Sequence, residues 1–419
     1  MKVETAIFCA LFAVAGVAET VKVVDCARDP ALDEWAASDA KFARAVMEDV
    51  FKAAGVEPVR VPYRADGMSD SSNAVVICSA FRTERLLKDY DYPLQPLGQM
   101  RFALYATPGR AAELKAVKIT DWPQLRVGYS PVSQGQSQDR EHYFEHAALS
   151  PDYRRYDTSA GAVEGLRNGE FDLLFLYTPQ EKCPEGLERV VPIGLRNVYF
   201  AVRKDHPELL KRLTAAYREC YIDNIDRYDR LRKELLGVEV PTNRVRVAAY
   251  SRGRLFSVTP DGERAGVIED WLNAVRARTH WTIDYVYGTY DECLKDVTSG
   301  RLDLVGGLGF SPLRRDKFYY PHTPIGMLRV FLWTHQGNRF KAGDPASWKG
   351  MKVGVLTGAL SAYQIKRHLE REKLDITCRE YVTDGELMRA YFNGEIDACV
   401  DIFSSNLEKQ FQCLKIVIV

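Results

Sequence analysis

The 419-residue chain has no excess of either charge: 57 Lys+Arg face 57 Asp+Glu, a formal net charge of zero. With no global basic field, counterion release cannot hold a nucleic acid or an anionic membrane surface, and both partner classes are excluded. Long apolar runs are equally scarce. The one that stands out, Ala6–Ala18, has 13 residues and is too short for the ~30 Å of a bilayer core. Three motif classes are also missing. No Cys-x-x-Cys pair supports a zinc ribbon or a thioredoxin-like site, no Gly-x-Ser-x-Gly elbow presents a nucleophile, and no Gly-x-x-x-x-Gly-Lys loop cradles a phosphate. Gly306-Gly-Leu-Gly309 lacks the third glycine of a dinucleotide site. At 46% hydrophobic and 27% charged residues the chain has ordinary globular composition, with length for two or three domains.

Lys2, the apolar run and the small residues Gly16-Val17-Ala18 form the pattern of a secretory signal over residues 1–18. The remainder is therefore expected to be exported and periplasmic or extracytoplasmic. Cys9 falls in the signal, leaving eight cysteines in an oxidising compartment: an even number that permits disulfides without fixing any pairing. One metal-like pattern occurs. His142-Tyr-Phe-Glu-His146 puts two imidazoles at i, i+4 with a glutamate between them, as in inverted zinc proteases. Only three of its positions are fixed, and the neighbouring repeat offers Lys366-Arg-His-Leu-Glu370 instead, so a solvated helix face is the expected reading. No catalytic residue, metal or cofactor is expected.

An internal repeat decides the architecture. Val21-Lys-Val-Val recurs at Val245-Arg-Val-Ala (245 − 21 = 224). Ser79-Ala-Phe-Arg-Thr-Glu-Arg85 recurs at Gly309-Phe-Ser-Pro-Leu-Arg314 (314 − 85 = 229). Trp122-Pro-Gln-Leu-Arg-Val-Gly128 recurs at Trp348-Lys-Gly-Met-Lys-Val-Gly354 (348 − 122 = 226). Leu166-Arg-Asn-Gly-Glu-Phe-Asp172 recurs at Tyr391-Phe-Asn-Gly-Glu-Ile-Asp397 (391 − 166 = 225). Four markers in one order predict a tandem duplication, with a first unit at 19–240, a linker at 241–244 and a second unit at 245–419. Position 419 corresponds to Gly194 of the first unit (419 − 225 = 194), so the second unit is expected to be incomplete at its C-terminus.

Short, unalternating β-branched runs such as Val21–Val24, Val245–Ala249 and Val353–Leu356 read as strands buried on both faces. Phe42, Val46 and Val50 mark one face of a helix stopping at Gly55, and Ile268, Trp271, Leu272 and Val275 mark its counterpart. Strands alternating with helices predict α/β units with crossover connections.

Taken together, these pieces resemble the family-3 bacterial solute-binding proteins, which have the type 2 periplasmic-binding fold. The second unit carries the family's order: Val245-Arg-Val-Ala, Asp261-Gly-Glu-Arg-Ala-Gly266, Tyr290-Asp-Glu-Cys-Leu294, Thr298-Ser-Gly-Arg-Leu-Asp303, Gly306 to Arg314, Tyr320-Pro-His-Thr-Pro324, Trp348 to Val355, and Asn393-Gly-Glu-Ile-Asp397. The resemblance implies two α/β lobes per unit around a ligand cleft. It places Arg314 on the ligand carboxylate, with Arg315 a one-residue slip away, and Tyr290 against the ligand. Backbone donors at Gly307 and Gly309, Thr357 and Ser361 complete the second site, with Asp401 one residue from the family's ammonium partner. In the first unit Arg85, Ser79, Ser130 and Tyr177 take the corresponding places. There Tyr177 replaces an acid, and Asp70-Ser-Ser-Asn73 replaces the Gly-x-x-Asp segment, which makes an amino-acid ligand doubtful for that unit.

The resemblance therefore implies a non-enzymatic, exported receptor for a small carboxylate-bearing solute, an amino acid above all. It would serve as the sensory ectodomain of a membrane receptor with a further C-terminal signalling part. The competing placement is the substrate receptor of an amino-acid ABC transporter, and a dehydratase-like or metal-dependent enzyme comes third.

Overall fold

The computed structural model describes residues 19–25, 34–62, 74–130, 140–141, 143–179, 183–253, 255–259, 263–310, 314–326, 331–335, 337–341, 343–401 and 411–414. The expected signal at 1–18 lies outside them. The chain divides between Val240 and Pro241 into two units.

In the first unit, Val21, Val23 and Val24 are buried in β1 (Glu19–Asp25). Helix α1 (Glu34–Ala54) buries Phe42, Val46, Val50 and Phe51 at helical spacing and stops at Gly55, whose φ of +65° suits a residue without Cβ. The chain continues through β2 (Val56–Pro62), β3 (Val76–Ala80), α2 (Leu86–Asp89), β4 (Tyr90–Asp91), β5 (Gly98–Ala106), α3 (Pro108–Lys115), β6 (Arg126–Tyr129) and β7 (Asp152–Arg155). It ends with α4 (Ser159–Arg167), β8 (Leu173–Pro179), β9 (Glu188–Arg203), α5 (Pro207–Asp223) and α6 (Ile225–Leu236). The sheet order is β2-β1-β3-β9-β5-β8-β6-β7, with β4 also on β9.

Two parallel triplets are visible in that order, β2-β1-β3 and β7-β6-β8, each with its first strand central. They are the two lobes. β9 runs antiparallel through both: residues 188–198 pair with β5, and 199–202 with β3. One long strand crossing between lobes is a connection suited to hinge motion. β5 is buried on both faces, with Phe102 and Leu104 in one core and Ala103 and Tyr105 in the other.

The second unit repeats the plan. Its first lobe has β10 (Arg244–Ala249), the hairpin β11–β12 (Ser257–Val258, Arg264–Ala265), α7 (Val267–Thr279), β13 (Thr282–Tyr287), α8 (Tyr290–Thr298) and β14 (Leu304–Val305). The second has β15 (Phe331–His335), β16 (Met351–Leu356), α9 (Leu360–Arg371), β17 (Ile376–Tyr381), α10 (Asp384–Phe392), β18 (Ala398–Asp401) and β19 (Phe411–Leu414). The sheets run β13-β10-β14 and β17-β16-β18-β15-β19. The parallel triplet with its first strand in the middle thus occurs four times, and β15 and β19 add to it antiparallel, as β5 and β9 do.

A side-chain staple recurs with the triplet. Asp172, Asp303 and Asp397, each just before the third strand of a lobe, accept from the backbone N–H of Arg126, Arg246 and Lys352 on the central strand, at 2.9, 2.8 and 2.8 Å. Burial alone would raise the Asp172 and Asp303 carboxyls, but the hydrogen bonds and the Arg126 and Arg246 guanidiniums outweigh it and hold both below the usual range. In the first lobe of the chain Val75 donates the equivalent backbone bond to Lys22 and brings no carboxylate. Of the cysteines, Cys78, Cys220, Cys293 and Cys399 are buried as small core residues, while Cys183 and Cys378 carry free thiols.

Candidate ligand clefts

Ligands of open parallel sheets sit beyond the C-terminal ends of the strands. In the second unit those ends lead into Tyr250-Ser-Arg252 after β10, Tyr290 opening α8, Gly306 to Gly309 after β14, and Thr357-Gly358 after β16. α8 starts where it does because Thr289 and Glu292 close a capping box around its first turn. This fixes Tyr290, which is buried with its ring edge-on to Tyr250 at 4.9 Å. The Tyr250 hydroxyl donates to Gly306 O at 2.9 Å, and burial pushes its phenol up, offset in part by nearby Arg252. The Arg252 guanidinium carbon lies 5.6 Å from the Tyr290 ring centre.

Arg314 comes from the first lobe and reaches the second. Its Nη2 donates to Gly358 O at 2.8 Å and its Nη1 to Gly309 O at 3.4 Å. Tyr320 donates its hydroxyl to the same Gly309 carbonyl at 3.3 Å; burial pushes its phenol up and Arg314 pulls it back. Arg315 is exposed and pairs with Asp316, so the inward residue is Arg314. The lobes meet closely here. A Cβ on Gly309 would lie 2.8 Å from Leu360 Cδ2, and one on Gly358 (φ +70°) 2.6 Å from Asp291 Oδ1 and 3.9 Å from Tyr290 Cδ1. The second cleft stands closed, with Arg314 as the bridge.

The other expected residues of this unit fall differently. Gly307, at φ +72°, packs under Ile268 and Tyr250. The Thr357 hydroxyl already donates to Tyr381 O at 3.1 Å. Ser361 is buried in the first turn of α9. Asp401 ends β18, and its side chain lies outside the described residues. Tyr250, Arg252, Asp291 and Tyr320 were not singled out from the sequence. Asp291 and Tyr320 lie in segments that carry the resemblance but were given no role there, and Tyr250 and Arg252 signal only by position just beyond β10.

The first unit closes by other means. Phe81, beyond β3 in one lobe, meets Tyr177 on β8 of the other at 5.7 Å between ring centres. Tyr177, 6% exposed, stacks on Phe102 at 5.2 Å. Arg85 is exposed at the start of α2, and its guanidinium has no partner among the described residues. The engaged arginine is Arg82, which lies 4.2 Å from the Tyr199 ring centre and donates to Pro93 O at 2.7 Å. Ser79 and Ser130 are half-buried, on β3 and just after β6. Of the histidine pair, His142 lies outside the described residues and His146 is exposed. Among the described residues no group of three or more His, Cys, Asp or Glu side chains could hold a metal, and no helix is long and apolar enough to cross a membrane.

No family model matches the chain, and no curated protein does. Solved structures do. The periplasmic domain of B. pertussis BvgS is 15% identical, covering 94% of this chain and 81% of that one, with a TM-score of 0.35. A mutant of the arginine-binding protein of T. maritima is 17% identical over 52% of this chain and 96% of its own, with a TM-score of 0.40. A histidine kinase sensor domain similar to periplasmic binding proteins is 17% identical over 54% and 99%, with a TM-score of 0.39. These are periplasmic-binding folds, and tandem two-lobed α/β units are the architecture found here.

Proposed function

We propose that the second unit is a solute-binding module whose lobes close on a small carboxylate-bearing ligand, and that the chain is an extracytoplasmic sensory receptor. One observation carries the reading: Arg314 spans the cleft and spends its planar fork on two neutral carbonyls, Gly309 O and Gly358 O. A carboxylate offers the same fork two charged acceptors in bidentate geometry, which is the stronger partner. Ligand binding is therefore an exchange at Arg314, and the closed state gains or loses population by the difference. Tyr290 supports the ligand, the backbone N–H groups around Gly307 and Gly309 add donors, and the second lobe contributes Ser361 at the start of α9 and Asp401 by its place at the end of β18. Thr357 sets the turn beside Gly358.

In the first unit, Phe81 occupies the space between lobes where a ligand would sit, and Arg85, Ser79, Ser130 and Tyr177 surround a filled cleft. That unit serves as a structural partner, a division of labour that suits a sensor more than a transport receptor.

The test is thermal unfolding of residues 19–419 with a panel of amino acids, organic acids and zinc. A ligand at 100 times its Kd stabilises its unit by about 2.7 kcal/mol. The expected shift disappears in Arg314→Ala. Stabilisation by zinc alone, lost in His142→Ala, would replace this reading with a metal site.

A further inference from the structure

The second cleft holds one guanidinium beside the Tyr290 ring and a second on the carbonyl of Gly358, which packs near that ring. Arg252 lies 5.6 Å from the Tyr290 ring centre. Arg314 bonds Gly358 O, and a Cβ built on Gly358 would stand 3.9 Å from Tyr290 Cδ1. Neither arginine is ion-paired among the described residues. Arg244, Arg246, Arg264 and Arg301, on the same lobe, each pair with a carboxylate. Arg276 and Arg278 of α7 are exposed to solvent, so among the half-buried arginines described in this lobe these two stand without a carboxylate. Asp291 is exposed and set against Gly358.

Two unpaired cations converging on one closed cleft repel each other, and an anion of matching valence relieves that repulsion. Tyr250 fixes the geometry. It stands two residues before Arg252 in the chain, its hydroxyl is tied to Gly306 O just after β14, and its ring meets Tyr290.

Resting on the reading of the cleft as a solute site, we propose that its ligand carries two carboxylates a few carbons apart, one taken by Arg314 and the second by Arg252. A ligand with a cationic side chain would meet Arg252 head-on and is rejected. Plain dicarboxylates and acidic amino acids share this chemistry; an α-ammonium, where present, has Asp291 on its side of the cleft.

Titration calorimetry on residues 19–419 tests it with matched probes: L-glutamate against L-glutamine, L-aspartate against L-asparagine, succinate and glutarate, and L-arginine. The diacid of each pair is expected to bind at least about tenfold tighter than its amide, the worth of one charge-assisted contact. L-arginine is expected not to bind. In Arg252→Gln the preference falls to about one while L-glutamine affinity stays within about threefold; Arg252→Lys, which keeps charge without the fork, restores part of it. An unchanged ligand-free unfolding midpoint in both variants shows that the fold is intact. Equal binding of succinate and L-aspartate, or a clear advantage for the amino acid, both fit the proposal and separate its two sources. Glutamine or arginine binding as tightly as glutamate overturns it, as does a preference that survives Arg252→Gln. If Arg314→Ala abolishes binding in either case, the cleft reading stands and only the dicarboxylate falls. If no probe on this panel or the broader one binds, both fall.

Discussion

The two units put the same backbone plan to opposite uses at one position. Phe81 and Phe310 are counterparts under the offset that relates Arg85 to Arg314 (310 − 81 = 229). Phe81 is packed between the lobes against Tyr177 and the core around Phe102. Phe310 is 61% exposed, in ring contact with Tyr320, and polar bonds from Arg314 close its cleft instead. Opening the first cleft re-exposes aromatic surface to water, whereas opening the second trades two hydrogen bonds for others to solvent. A cleft closed by apolar packing is a joint. One closed by an exchangeable guanidinium is what the proposed site requires.

Four substitutions would break or sharpen this contrast. Phe81→Ala should destabilise the first unit by about 2–3 kcal/mol, the cost of removing a partly buried aromatic, and leave the second unit's transition in place; urea unfolding followed unit by unit reads this, and an unchanged first transition would end the idea of a plug. Asp39 comes next. It is buried on α1 and burial pushes its carboxyl up to about 7. Between the unfolded value near 4 and that value the folded state binds the extra proton, so first-unit stability falls as pH rises through this window and is flat above it. Asp39→Asn should remove the slope and stabilise the first unit above pH 7 by on the order of 2 kcal/mol. A pH-independent wild-type midpoint would contradict it.

Gly358→Ala places a Cβ against Asp291 in a left-handed backbone, which costs about 1–2 kcal/mol and spreads the lobes. Small-angle scattering should show the second unit expanding with the first unaltered. The smallest effect belongs to the ligand-free Arg314→Ala variant. Two hydrogen bonds from a half-buried guanidinium to carbonyls should be worth less than about 1 kcal/mol to the empty unit. A large loss would make Arg314 a structural strut.

Much of the scaffold was legible because it depends on local chemistry. Gly55 ends its helix in the left-handed conformation its sequence context announced, and Ile268 and Leu272 bury the face their spacing implied. The order of repeated markers carried the lobes. The clefts were harder to read. Phe81 and Phe310 look alike in sequence, and only the partner across the gap, Tyr177 in one case and open solvent in the other, separates a plug from an exposed ring. Arg252 gave no signal beyond its place after a central strand, since a cation's meaning depends on which acids the fold leaves out of reach. Arg85 could not be told from Arg82 by sequence; the aromatic faces of Tyr92 and Tyr199 select the latter.

The aspartate staple has a further consequence. Asp172, Asp303 and Asp397 grip the central strand at its N-terminal end, while the clefts lie beyond the C-terminal ends of the same strands. The staples and the proposed ligand residues therefore sit at opposite ends of the same strands. After a duplication, each end of the sheet can age at its own rate. The first lobe has Val75 where the others have the staple and still forms its triplet, while both lobes of the second unit carry the staple. A substitution at one end of these sheets leaves the other end's hydrogen bonds in place.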